Sequence, residues 1–409
     1  MRKSRGLLVA SQRACPLCHG HAARWVHALH FLLPERSPLP TNYDLLVCET
    51  CGSGFADSSA DVSAYDDYYR SFSRYEDATV ATGGGDDPAD RLRIEATADF
   101  LGACLRPDAQ VLDVGCGNGG LLAALHRRGI KHLTGFDPAA GCTARVAAQG
   151  FSAATVTLPL TDSNAVSGST GPFDLIVLSH VLEHVFDARA VVTSLLPLLG
   201  AGGWLYLETP DPVRYTNQGF PPLYFFDPEH INHFGAASLR FLGEACGLTA
   251  TTIGQKTLRL ANGVDYPAVY GLFEAQGAET GAPVAQGSLY PALAAYVDAG
   301  LADLLPMRER ILSLVGTDRP FALWGAGSLS QRLVGEPWFP AQQLREVVDR
   351  DSRKQGLRFA GHTVRSPEIG LRDLPAGALV LCAAAIATAA INRDYAALGL
   401  AYPFYAIAE

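Results

Sequence analysis

A glycine-rich segment constrains the fold of this chain more than any other feature. Residues 111–122 read Val-Leu-Asp-Val-Gly-Cys-Gly-Asn-Gly-Gly-Leu-Leu, so a hydrophobic strand leads through four glycines directly into a helix. Gly115, Gly117 and Gly119 permit positive φ angles and let a ligand approach the backbone where side chains would clash. The segment therefore predicts a strand–loop–helix unit whose loop binds a ligand.

Strands and helices alternate after this loop. The predicted strands are 111–114, 132–136, 173–178 and 204–208, and the predicted helices are 120–128, 141–149, 188–199 and 238–247. This order predicts a parallel sheet with crossover helices that cover both of its faces. The β-rich stretch 248–275 predicts an antiparallel edge to the same sheet.

Two acidic residues indicate which ligand the loop binds. Asp137 ends the second strand about 20 residues past the loop, where a carboxylate accepts hydrogen bonds from both hydroxyls of an adenosine ribose. Asp113 precedes the glycines within the strand, where its charge would repel a pyrophosphate and attract an ammonium group. The glycine spacing also departs from the dinucleotide pattern G-x-G-x-x-G. These features favour S-adenosylmethionine over a dinucleotide.

Cysteine spacing predicts a metal site near the start of the chain. Cys15 and Cys18 form one C-x-x-C pair and Cys48 and Cys51 form another, with 29 residues between the pairs. Two such pairs supply four thiolates to one tetrahedral Zn²⁺, a closed sphere that indicates a structural role. No thioredoxin-like pattern surrounds either pair, so a redox role is disfavoured.

Charge and hydropathy limit the partners. The net charge is -9, and the chain has no run rich in lysine and arginine, so nucleic acid is a poor fit. Apolar runs are too short for a spanning helix, and the first ten residues are too short and polar for a secretory signal. We therefore expect a cytoplasmic protein with a small-molecule substrate, no membrane partner, and a monomeric or homodimeric state.

Four parts are predicted along the chain. They are a zinc-binding domain at 1–62, an aromatic connector at 63–92, an α/β core at 93–277 and a smaller Rossmann-like domain at 278–409. The connector is expected to fold over the core and shield the site from water with its tyrosines Tyr65, Tyr68, Tyr69 and Tyr75. Asp90 is expected to cap a helix that runs to about Leu105. The helical stretch at the start of the last part is expected to break at Pro306.

The core resembles the class I S-adenosylmethionine-dependent methyltransferases. Residues 111–122 resemble that family's glycine-rich motif, 173–184 its fourth-strand motif and 202–208 its fifth strand. The resemblance implies an α/β fold with a Rossmann-like methyltransferase core. It also implies that S-adenosylmethionine is bound by Asp113, Gly115, Cys116, Gly117, Asn118, Gly119, Asp137, Pro138, Ser179, His180 and Tyr75.

Histidines follow two of the predicted strands, in loops on the rim where ligands bind in open α/β sheets. His230, His233 and His180 are candidate bases in that order, because histidine titrates near neutral pH. Glu229 precedes His230 and is a candidate to orient or charge an imidazole. His184 is the weakest candidate.

The whole layout resembles the three-domain C-methyltransferases that act on keto nucleotide sugars, which carry an N-terminal zinc domain. That resemblance implies that His230, paired with Glu229, is the base, and that the C-terminal domain helps to hold the nucleotide sugar. The alternatives are a methyltransferase acting on a hydroxyl of a saccharide or other small molecule, a zinc-ribbon RNA methyltransferase, a dehydrogenase and a non-catalytic Rossmann domain.

Overall fold

The computed structural model describes most of the chain. The described residues are 4–33, 37–71, 88–161, 172–216, 218–259, 264–275, 286–352, 354–384 and 388–407. They fall into two compact units: the first contains residues 1–27, 44–219 and 229–294, and the second contains 28–43, 220–228 and 295–409.

A five-stranded sheet has the order β1-β2-β3-β4-β10. Its strands are Leu8–Ala10 (β1), Ala22–His30 (β2), Asn42–Cys48 (β3), Gly54–Asp57 (β4) and Asn232–His233 (β10). β1 pairs with β2, β3 with β4 and β10 with β4, each time antiparallel. Strand β3 ends at Cys48, so the sheet delivers that cysteine to the second C-x-x-C turn.

The second sheet forms the centre of the first unit, with seven strands in the order β11-β12-β9-β8-β5-β6-β7. Its strands are Gln110–Val114 (β5), His132–Asp137 (β6), Ser152–Thr155 (β7), Phe173–Ser179 (β8), Leu199–Pro210 (β9), Thr249–Arg259 (β11) and Asp265–Glu274 (β12). Strands β5 to β9 are parallel, and β12 and β11 add an antiparallel edge. The predicted α/β sheet and its edge are confirmed.

Helices Val62–Ser71 (α1) and Pro88–Gly102 (α2) precede the first strand of this sheet. The helices between its later strands are Gly120–Arg127 (α3), Ala140–Ala148 (α4), Ala188–Leu195 (α5) and Ala236–Ala245 (α6). The core is apolar where α2 and α3 meet the sheet: Leu125, Val111 and Val177 are fully buried. Because the strand order reverses between β5 and β8, the loops after these two strands flank the crevice where such sheets bind ligands.

The second unit contains a six-stranded sheet with the order β15-β16-β14-β13-β17-β18. Its strands are Phe321–Trp324 (β13), Leu344–Val348 (β14), Arg358–Phe359 (β15), His362–Arg365 (β16), Leu379–Cys382 (β17) and Phe404–Ala406 (β18). Its helices are Tyr290–Val315 (α7), which belongs to this unit from residue 295 onward, Ser328–Gly335 (α8), Pro367–Gly370 (α9) and Thr388–Ala397 (α10). The strand pairings of this sheet are parallel except that of β15 with β16. The part of the sequence predicted as a smaller Rossmann-like domain therefore contains a mainly parallel sheet.

Two details of the predicted helices are wrong. Helix α7 runs through Pro306 without a break, because one lost backbone hydrogen bond is outweighed by the burial of Leu304 and Ile311 on either side. Helix α2 begins at Pro88, so Asp90 lies in its first turn and not at the predicted start.

No helix in the described part of the chain is both long enough and apolar enough to cross a lipid bilayer.

Candidate functional site

The loop after β5 has the backbone that its glycines predict. Gly115 has φ +73°, and a Cβ atom there would lie 2.5 Å from Cγ2 of Val181. Gly119 has φ +81° and precedes the first residue of α3. Side chains at these positions would strain the backbone or collide with the loop after β8. The glycines therefore allow the loops after β5 and β8 to lie side by side.

The structure brings Asp137 to this loop. Strands β5 and β6 pair in parallel and end together, which places the Asp137 carboxylate beside the glycines. Its Oδ2 accepts a hydrogen bond from the Gly117 amide at 2.9 Å, and its Oδ1 accepts one from the Ala139 amide at 2.9 Å. Burial raises the pKa of Asp137, and the two amide hydrogen bonds oppose that shift.

A cavity lies between the glycine loop, the end of β8 and helix α2. Its lining residues are Arg93, Ile94, Thr97, Asp113, Gly115, Cys116, Leu121 and Ser179. Four of the predicted donor-binding residues, Asp113, Gly115, Cys116 and Ser179, are therefore together. Burial raises the pKa of Asp113 to about 7; Arg93 acts against this shift and Asp137 adds to it.

Sequence reasoning missed Arg93. Its guanidinium donates to Ser179 Oγ at 3.1 Å and pairs with Asp90 Oδ1 at 2.7 Å. The cavity thus holds a cation, Arg93, and a buried acid, Asp113, which suit the carboxylate and the ammonium of an amino-acid ligand. The Asp90–Arg93 spacing of three residues on a predicted helix was a weak signal, but nothing local places that helix against the strand ends.

The other predicted donor-binding residues lie around the loop. Asn118 is buried, and its backbone carbonyl accepts a hydrogen bond from Gln149 Nε2 at 2.9 Å. Pro138 is exposed directly after the acid that ends β6. Tyr75 lies outside the described residues.

His180 bridges two buried carboxylates. Its Nδ1 lies 3.1 Å from Glu183 Oε1, and its Nε2 lies 3.4 Å from Glu208 Oε1. Burial lowers the pKa of His180, but the hydrogen bonds with Glu183 and Glu208 outweigh burial and raise it overall. Its φ of +58° is unusual for a residue with a side chain. This environment, between two carboxylates, favours a positioning role for His180 over the predicted role of free base.

A second group of side chains forms the rim beside His180. Tyr68 donates its hydroxyl to Glu229 Oε1 at 3.1 Å, and Nδ1 of His184 lies 3.1 Å from the backbone carbonyl oxygen of Glu229. The Tyr69 hydroxyl is 3.2 Å from the same Nδ1. The rings of His184 and His230 meet edge to face with centroids 4.7 Å apart. Helix α1 therefore brings two of the predicted tyrosines to the Glu229–His230 pair.

His233 has a different location. It lies in β10 opposite Gly54, is 1% exposed, and its Nδ1 is 3.4 Å from the hydroxyl of Tyr215. His233 thus contacts Tyr215 within the sheet, whereas the His230 ring contacts His184. The structure does not bring this predicted base to the rim.

Comparison with known proteins identifies the core. Residues 89–253 match a family model described as a methyltransferase domain. The chain contains a class I, S-adenosylmethionine-dependent methyltransferase domain.

The curated relatives cover part of this methyltransferase domain. A ubiquinone biosynthesis O-methyltransferase from Albidiferax ferrireducens is 33% identical over 103 residues, which are 24% of this chain and 40% of the relative. A ribosomal protein L11 methyltransferase from Staphylococcus carnosus is 28% identical over 27% of this chain and 36% of the relative. The chain therefore spans less than half the length of these relatives.

Among solved structures, 1,6-didemethyltoxoflavin-N1-methyltransferase from Burkholderia thailandensis is similar over 55% of this chain and 96% of that protein. The sequence identity is 17% and the TM-score is 0.40.

A buried charge network supports the methyltransferase domain beneath His180. Glu208 is fully buried, and its Oε2 accepts from Lys256 Nζ at 2.8 Å, from the Tyr206 hydroxyl at 2.7 Å and from Thr97 Oγ1 at 3.1 Å. Burial opposes ionisation of Glu208, but Lys256 and His180 outweigh it and hold its pKa well below the usual range. Thr97 also lines the cavity beside the glycine loop, so the network links that cavity to His180.

The four predicted metal-binding cysteines converge outside the methyltransferase domain. The Sγ atoms of Cys15 and Cys51 are 3.4 Å apart, those of Cys18 and Cys48 are 3.4 Å apart, and all four lie within 4.8 Å of one another. A tetrahedral Zn²⁺ with Zn–S bonds of about 2.3 Å needs sulfurs about 3.8 Å apart. The cluster therefore fits zinc.

The two histidines beside the first pair make other contacts. His19 Nε2 lies 3.0 Å from Asp187 Oδ2, and His21 Nδ1 lies 3.0 Å from the carbonyl oxygen of Ser11. Four thiolates are thus the ligands that this cluster offers among the described residues.

Proposed function

We propose that this protein transfers the methyl group of S-adenosylmethionine to a small-molecule acceptor. The observation that carries the proposal is the charge pattern at the glycine loop. Arg93 suits the carboxylate of the donor, Asp113 suits its ammonium, and Asp137 suits its ribose hydroxyls. A dinucleotide would place its pyrophosphate near Asp113, where the carboxylate would repel it.

We further propose a keto nucleotide sugar as the acceptor and carbon as the methylated atom. The support is the order of zinc-binding domain, α/β core and C-terminal Rossmann-like domain in the sequence, together with the imidazole-rich rim at the end of β8. Removal of the proton beside the carbonyl would leave an enolate. Its carbon would attack the sulfonium methyl group in line; the carbon–sulfur bond breaks, and neutral S-adenosylhomocysteine leaves. His230 would act as the base that takes this proton, and Tyr68 donates a hydrogen bond to the adjacent Glu229.

A hydroxyl acceptor is the second candidate, because several of the curated relatives are O-methyltransferases. In that case the same rim would activate oxygen instead of carbon.

The zinc site is proposed to be structural. Four thiolates complete a tetrahedral sphere and leave no position for a substrate, so Zn²⁺ at Cys15, Cys18, Cys48 and Cys51 would stabilise the fold of the first sheet.

Substitution of His230 tests the reaction centre. His230→Ala should abolish methyl transfer while S-adenosylmethionine affinity stays within about twofold, because the donor cavity has other lining residues. His132→Ala, at an exposed histidine at the start of β6, is the matched control and should keep full activity. A fully active His230→Ala variant would remove the rim from the mechanism.

Isotope exchange tests the acceptor class. In deuterium oxide, with S-adenosylhomocysteine bound, the enzyme should wash deuterium into the carbon beside the carbonyl of a keto nucleotide sugar. A methyl ether product without such exchange would refute carbon methylation and support the hydroxyl candidate.

A further inference from the structure

Three side chains on the rim present metal-binding atoms to one another. One ligand atom each from Glu183, His184 and His230 lies within 4.8 Å of the other two. We propose that these three residues bind a divalent transition-metal cation. Two imidazoles and one carboxylate suit Zn²⁺, Mn²⁺, Fe²⁺ or Co²⁺ and leave further coordination positions open. This site is separate from the four-cysteine cluster and shares no ligand with it.

The backbone holds the two contributing loops together. The carbonyl of Glu183 accepts from the amide of Ile231 at 2.8 Å and from that of Asn232 at 3.2 Å. The side chain of Asn232 donates back to the carbonyl of Leu182 at 2.8 Å. These hydrogen bonds fix His230, the residue before Ile231, relative to Glu183. The ligand set is therefore preorganised by the fold itself.

The contact of His184 with the backbone suits the tautomer that a metal needs. A carbonyl oxygen can only accept, so a proton on Nδ1 of His184 would donate to the Glu229 carbonyl oxygen, 3.1 Å away. In that tautomer the lone pair is on Nε2, the atom that would coordinate the cation. A second ring nitrogen bonded to a backbone carbonyl is the usual support for a metal-binding histidine.

Glu183 supplies the carboxylate. It is 1% exposed, and its Oε1 is held by Nδ1 of His180 at 3.1 Å. Its Oε2 is buried and has no hydrogen-bond partner among the residues that the structure describes. A buried carboxylate oxygen without a partner is costly, and a bound cation would compensate it. Glu229 is not part of this cluster, and its Oε1 accepts a hydrogen bond from the Tyr68 hydroxyl.

The cation would change the role of His230. As a ligand, His230 would not be the free base that the sequence predicts, and the cation would polarise a carbonyl or hydroxyl oxygen of the acceptor. Cation binding itself does not depend on the proposed acceptor or on methyl transfer.

Cobalt titration of the full-length protein tests the proposal, because Co²⁺ bound to thiolates has an intense charge-transfer absorption that Co²⁺ bound to imidazole and carboxylate lacks. Metal-depleted wild-type protein should bind about two equivalents of Co²⁺ per chain, one with the thiolate absorption and one without it. Glu183→Gln should lose the cobalt ion that shows no thiolate absorption and keep the cobalt ion bound to the cysteines. Cys48→Ser should lose the thiolate absorption.

Two further variants sharpen the test. His184→Gln should give the same loss as Glu183→Gln, and it covers the case in which a change at the fully buried Glu183 prevents folding. Glu229→Gln is the control, because a neighbouring acid outside the ligand set should leave about two equivalents. The proposal is overturned if wild-type protein binds cobalt only at the thiolates, or if Glu183→Gln and His184→Gln both keep two equivalents.

S-adenosylmethionine binding is measured on the same samples. Failure of wild-type protein to bind S-adenosylmethionine would contradict the proposed function alone. Wild-type protein that binds cobalt only at the thiolates would contradict the cation site alone.

Discussion

The buried carboxyl of Asp113 predicts that donor affinity rises with pH. Burial raises its pKa to about 7, with Arg93 opposing the shift and Asp137 adding to it. In the proposed site the donor's ammonium pairs with the carboxylate of Asp113 and not with the neutral acid, so binding would release the proton wherever Asp113 is protonated. One pH unit below the pKa of Asp113, this carboxyl group is ionised in about a tenth of the molecules. The dissociation constant for S-adenosylmethionine should therefore be about tenfold higher at pH 6 than at pH 8.

Isothermal titration calorimetry at pH 6, 7 and 8 measures this effect. Titrations in buffers with different ionisation enthalpies should show release of about one proton at pH 6 and almost none at pH 8. Asp113→Asn is the control variant; it should bind more weakly than wild type at pH 8 and show little dependence on pH. Equal wild-type affinity at pH 6 and 8, or wild-type affinity in Asp113→Asn, would refute the reasoning.

Three further predictions concern the loop, the metal cluster and the buried charges. Gly115→Ala should destabilise the protein by about 1–2 kcal/mol from the positive φ alone, with a further loss of donor affinity from the collision with Val181, measured by thermal unfolding with and without S-adenosylhomocysteine. Cys48→Ser should lower both the zinc content and the melting temperature; unchanged zinc by mass spectrometry would contradict the cluster. Lys256→Met should cost about 3 kcal/mol in urea unfolding, because Glu208 keeps a buried charge, and adding Glu208→Gln should restore part of the loss.

The sequence predicted the features that depend on local pattern. A hydrophobic run, four glycines and an acid at the end of the next strand were enough to place the loop and Asp137 together, because parallel strands end at the same edge of a sheet. Paired C-x-x-C spacing likewise predicted the cysteine cluster, since each turn fixes two sulfurs at once.

Features that depend on packing between distant segments were not predicted. Arg93 reaches the donor cavity because α2 lies across the strand ends, and no local signal gives that placement. The sequence also favoured Glu229 as the carboxylate beside His230, because the two are adjacent in the chain. Glu183 is the carboxylate that shares a cluster with His230, and backbone hydrogen bonds between two loops bring them together.

Equilibrium binding of radiolabelled S-adenosylmethionine to the full-length protein tests the central claim most directly. We predict about one equivalent bound per chain, displaced by S-adenosylhomocysteine but not by NAD⁺, and lost in Asp137→Ala. Absence of binding, or displacement of the label by NAD⁺, would contradict the account.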